Sequence, residues 1–164
     1  MTVIRLLHDL KDLLTEATSD IKLPTSVQKG DTVRTERAPA IHLMRLPDSR
    51  SYEKIAPYII IKFITGKDVQ PEGNVTESSA TIRFIFCVYS DNEEDGALML
   101  VNLMETVRQV LLKNAIIGEA FTLDRQAGLE SLVYEDDSKP YYAGEMIGTF
   151  TIPPIEREVD FNGW

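Results

Sequence analysis

The residues best equipped for chemistry lie in the stretch "YSDNEEDGALMLVN", residues 89–102. Asp91, Glu93 and Asp95 fall where an EF-hand calcium loop places its first, third and fifth ligands, and Gly96 takes its sixth-position glycine. Cys87, just upstream, adds a possible nucleophile. The calcium pattern fails around these residues. Position twelve, which needs a bidentate Glu, is Asn102. Residues 80–89 alternate like a strand where the motif needs a helix, and a helical stripe already begins at Gly96. The same acids suit the start of a helix. Ser90 with Glu93, or Asp91 with Glu94, forms a capping box, and carboxylates at the positive end of the dipole are favourable. The stretch reads as a seam between a strand and a helix.

Other chemical candidates are weaker still. A catalytic cysteine wants a histidine partner and an activating setting. Only His8 and His42 exist, one on a helix shoulder and one in an irregular stretch. Cys87 sits mid-strand, where a cysteine acts as a small hydrophobe. Two histidines and one cysteine make a poor zinc set. No Walker loop or dinucleotide fingerprint occurs among the glycines. The acids "EDD" at 135–137 fall in a turn. The expectation is a chain without catalytic residues, metal or cofactor.

The elements that hold these residues follow from hydropathy period. Val3, Leu6, Leu7, Leu10, Leu13, Leu14 and Ala17 recur at helical spacing, which predicts a first helix with Thr2 as N-cap. "PYIIIKFIT" (57–65) reads as a strand buried on both faces. "ATIRFIFCVYS" (80–90) alternates, with Ile82, Phe84, Phe86 and Val88 on one side and Thr81, Arg83, Ile85, Cys87 and Tyr89 on the other. The two are expected to form a hairpin across a long loop, "TGKDVQPEGNVTESS". From Asp95 to Lys113 the period is helical again, with Ala97, Leu100, Val101, Met104, Val107 and Leu111 in one stripe. Leu98, Leu103, Val110 and Leu112 widen that stripe beyond one contact face. "GLESLVY" and "AGEMIGTFTI" predict a second hairpin, ended by Pro153-Pro154. Residues 19–54 carry no clear period and are read as an extended arm or loop, the alternative being short strands that the pattern does not place. The order helix, hairpin, helix, hairpin predicts one α+β domain: a mainly antiparallel sheet packed against two α-helices.

Composition sets the outer limits. The chain has 164 residues, 43% hydrophobic and 26% charged, values of an ordinary globular protein. It offers no signal-peptide core and no run of ~20 apolar residues to span a bilayer. A lone cysteine fits a reducing cytoplasm. Residues 1–67 hold 11 basic against 8 acidic residues, and 68–164 hold 6 against 18. These nets of +3 and −12 give the whole-chain −9, which argues against nucleic-acid reading. The polarity reads first as two solvated surfaces; the sharper alternative is head-to-tail self-association, the basic half of one copy meeting the acidic half of the next.

Three stretches carry a resemblance: "APYIIIKFITGKD", "ATIRFIFCVYSDNEEDGALMLVNLMETVRQVLLKN" and "KPYYAGEMIGTFTIPPIERE". Together they span roughly residues 40–158, and the sequence resembles the tail terminator, or tail completion, proteins of phages and prophages of Gram-positive hosts. The resemblance implies an α+β structural virion protein. It further implies a hexameric ring at the head-proximal end of the tail tube, which ends tube growth and joins tail to head. The implied partners are other copies of the chain, monomeric before assembly, the tail tube protein and the head-tail connector proteins. The implied location is the virion tail, with assembly in the host cytoplasm. The family brings no catalytic residues. From the sequence pattern itself, apolar side chains left over for contacts are Leu98, Leu103 and Val110 on the second helix, and Phe161 and Trp164 in the C-terminal tail (155–164). Alternatives are a head-completion or other minor tail protein and, in a different class, a small-ligand-binding domain or enzyme using the acids at 91–95 and 135–137.

Overall fold

The computed structural model describes residues 2–26, 35–47, 56–73, 75–135 and 139–158. The first helix, α1 (Val3–Ala17), starts at Thr2, whose extended backbone lets its side chain accept the Arg5 N–H at 3.4 Å. Leu6, Leu7, Leu10 and Leu14 form its buried face. Thr18 closes the last turn by donating both its backbone N–H and its hydroxyl to Leu14 O.

Of the two readings of residues 19–54, the described part shows the short strands. β1 (Leu23–Pro24) pairs antiparallel with β2 (Glu36–Arg37). β3 (Ala40–Leu43) lies parallel to the next strand, β4 (Tyr58–Val69). These pieces are two to four residues long, and β3 buries only Ile41. Such short segments produce no readable period. The loop after β4 is also shorter than expected. β4 runs on to Val69 and β5 (Glu77–Tyr89) begins at Glu77, across a bulge at Phe63/Thr65. The extra strand residues are mostly polar, and of them only Ser78 is buried, so ladder hydrogen bonds hold them without a hydrophobic signal.

After β5 come α2 (Glu93–Lys113), β6 (Thr122–Leu123), β7 (Leu129–Val133) and β8 (Tyr141–Ile152). The sheet order is β3-β4-β5-β8-β6, and β7 also pairs with β8. Every pairing in this sheet is antiparallel except β3 with β4. The fold class is α+β.

Alternation in β5 divides the sheet into two unlike faces. Ile82, Phe84, Phe86 and Val88 are fully buried, with Ile59, Ile61, Met146 and Phe150 from the flanking strands. Both helices lie on this face, α1 through Leu6, Leu10 and Leu14, α2 through Leu100, Leu103, Val107 and Leu111. Phe84 and Phe150 meet edge to face, 6.4 Å between ring centres. Among the described residues no helix packs on the opposite face. There Ile85 and Ile147 are half-buried, and Arg83 Nε stands 3.0 Å from Glu145 Oε2 at an angle too bent for a hydrogen bond. No described helix is long and apolar enough to cross a membrane.

Truncating neighbours on β5 should separate the faces. Phe84→Ala should cost about 3–5 kcal/mol in urea unfolding. Ile85→Ala should cost clearly less, and equal losses would mean that the second face is packed like the first.

Candidate functional site

At the seam, Tyr89 ends β5 and Asn92, not Ser90 or Asp91, caps α2. The Asn92 backbone is extended and its Oδ1 accepts the Asp95 N–H at 3.2 Å. The expected cap shifts because Ser90 is buried and still tied to the sheet: its N–H donates to Pro140 O, while its Oγ accepts the Asn92 N–H at 3.1 Å. Asparagine caps about as well as serine or aspartate, so the helix starts where the strand lets go. Glu93, Glu94 and Asp95 fill the first turn and Lys113 the last, as the dipole favours.

The acids do not converge. Tyr89 donates its hydroxyl to Asp91 Oδ1 at 3.0 Å, and Lys139 pairs with Glu93. Gly96 serves packing instead of metal binding. It is buried in the first turn of α2, and a Cβ there would run into the ring of Tyr142 on β8. Among the described residues no group of three His, Cys, Asp or Glu could hold a metal ion.

A cavity of about 220 Å³ opens beside the seam, where β1 and β2 meet the start of α2. Glu36, Asp91 and Asp95 line it with Tyr89, Thr35 and Met99. This volume falls below the usual 300–1,000 Å³ of a ligand pocket. Glu135 is not part of the lining, and Asp136 and Asp137 lie outside the described residues. The two acidic clusters of the ligand-binding or enzyme reading are therefore not brought together by any described contact.

Cys87 belongs to a small second cluster with Ala56, Tyr58, Tyr89 and Tyr141. Burial pushes its thiol up, opposed by a hydrogen bond with the Tyr58 hydroxyl. Burial, then the neighbouring Cys87, holds the Tyr58 phenol well above its ordinary range. His42 sits on β3, with β4 between it and Cys87 on β5. Its pKa is lowered, first by desolvation and then by the charges of Lys11 and Arg37. His8 is exposed on α1. No nucleophile-base pair results.

The expected contact residues separate into four groups. Leu98 is on the surface, 61% exposed, with Val101 beside it at 49%. Leu103 is fully buried in the core and cannot contact a partner without unfolding. Val110 is half-buried against that core. Phe161 and Trp164 lie outside the described residues. The helix is rotated from the expected phase: Gly96 and Leu103 turn inward, while Ala97 and Val101 turn out. The Tyr142 ring under Gly96 accounts for this, since only a glycine lets the helix settle there. The sequence reading missed the sheet edges. On β7, Leu132 is 54% and Val133 42% exposed, in a segment whose strand signal was clear but whose place at an edge was not.

Two tests address this site. Gly96→Ala should destabilise the protein although alanine is about 1 kcal/mol the better helix former, and in a Tyr142→Ala background the same change should turn neutral or stabilising. Cys87 and Tyr58 both keep their protons in the folded state beyond their ordinary values of 9.0 and 10.0. Their contribution is complete below those values and is lost as pH rises through the folded ones. Urea midpoints should hold to about pH 9 and then fall, with a shallower fall for Tyr58→Phe. Neither family models nor curated proteins give a match to this chain.

Proposed function

We propose that this chain is a non-enzymatic structural protein of a phage virion, a tail terminator that forms a ring at the head-proximal end of the tail tube. In that role it ends tube growth and presents a surface to the head-tail connector. The observation that carries this reading is where the family-like stretches fall. "APYIIIKFITGKD", the passage from "ATIRFIFCVYS" to "VLLKN", and "KPYYAGEMIGTFTIPPIERE" occupy β4, β5 with α2, and β8, three neighbouring strands and the helix packed on them. Stretches far apart in sequence thus make one contiguous unit. The exposed Leu98 and Val101 give that unit apolar surface for partners, and Leu132 and Val133 on the adjoining β7 add more. A net charge of −9 suits a ring that lets DNA pass without holding it.

Purified protein mixed with assembled tail tubes of the same phage should cap one end of each tube in negative-stain electron microscopy. A strict monomer by light scattering that ignores both tube ends would overturn the proposal.

A further inference from the structure

The sheet ends in two edges of opposite character. On one side, β7 pairs with β8 from Leu129↔Gly148 to Val133↔Gly144, and among the described residues no strand pairs with its outer side. Tyr134 N–H donates to Ala143 O, so by the alternation of an antiparallel ladder the N–H and C=O groups of Leu129, Ser131 and Val133 point away from β8. On the other side, β3 pairs with β4 only as far as Leu43↔Ile61. Beyond that, Met44 Sδ accepts the Phe63 N–H at 3.4 Å, and otherwise from Lys62 to Val69 the described ladder partners of β4 lie on β5 alone. An open edge is a template for another strand, and exposed leucine and valine on it leave it less defended than charged side chains would.

Direction and charge choose the partner. β4, β5, β8 and β7 run antiparallel in succession, so β7 points opposite to β4. A second copy turned about an axis along the strands would bring its β4 antiparallel to this β7 and continue the alternation without inverting the molecule. Charge agrees. Glu130 and Glu135 stand on or beside β7, whereas Lys62 and Lys67 stand on the open part of β4. Asp68, the one acid there, accepts a hydrogen bond from Ser78 of the same copy. A two-fold pairing of β7 with itself would instead set acids near acids.

We propose that copies of this chain associate head to tail, the β7 edge (Leu129–Val133) of one pairing antiparallel with the β4 edge (Lys62–Val69) of the next in a continuous sheet. A heterologous contact of this kind closes into a ring when the rotation per copy divides the circle. The proposal deepens the ring reading above and rests on it, but its failure is separable. The full-length variant Leu132→Cys, on the same sheet face as Thr65 and Lys67, is mixed with Thr65→Cys, and in parallel with Lys67→Cys, alone and on tail tubes, and then oxidised. Thermal melts verify that each variant is folded. The expected result is a covalent dimer in a mixture that neither variant forms by itself. Glu130→Lys or Lys67→Glu, introduced into the cross-linking pair that leaves both positions native, should each lower its yield severalfold, and the two together should restore it. Cross-linking of Leu132→Cys with itself would overturn the proposal in favour of a two-fold dimer. Capped tubes without any mixed cross-link would overturn the edge pairing and leave the ring standing. Absence of both caps and cross-links would overturn both.

Discussion

Everything in this molecule depends on the pairing of β5 with a long strand on each side. Its twelve register pairs with β8 join residues more than fifty apart in sequence, and its eleven pairs with β4 close a hairpin. They also fix the side on which each β5 residue lands. A one-residue slip would exchange the two faces, burying Arg83 under the helices and exposing Phe84. Fully buried phenylalanines at 84 and 86 make that slip prohibitive. The register in turn sets the outlying features: where α2 begins, which residues of β7 face outward, and how far β4 runs beyond β3.

How much of this was legible depends on how strongly each segment is driven by burial. β5, α1 and the β7-β8 hairpin are patterned by hydrophobic period, and their identities follow from it. β3 buries one side chain, and the ends of β4 and β5 bury almost none, so hydrogen bonding to neighbours that the sequence does not name decides them. The phase of α2 belongs to the same class. Its apolar residues cover so much of the circumference that several rotations bury a similar number, and contact with Tyr142 selects among them. Leu98 was placed on the surface and lies there, but Leu103, only five residues on, is core.

The opening acids show a related ambiguity in chemistry. Asp91, Glu93 and Asp95 share their spacing with calcium ligands because alternate carboxylates also suit a helix start beside a strand end. What separates the two cases is the direction of each side chain, and here they diverge toward Tyr89, toward Lys139 and into solvent. Composition and spacing constrain the candidates; the backbone path decides between them.

That same seam joins α2 to the start of β8 by three unlike ties: the Lys139–Glu93 ion pair, the Ser90 N–H on Pro140 O, and the Tyr142 ring beneath Gly96. One is electrostatic, one a backbone hydrogen bond and one steric, so no single change of salt or temperature loosens all of them together. The helix and the strand therefore move as one lever. Force applied at Lys139 or Pro140, just before β8, would bear directly on the first turn of α2, whose outer surface carries Leu98, giving a neighbour at one end of the subunit a mechanical route to the other.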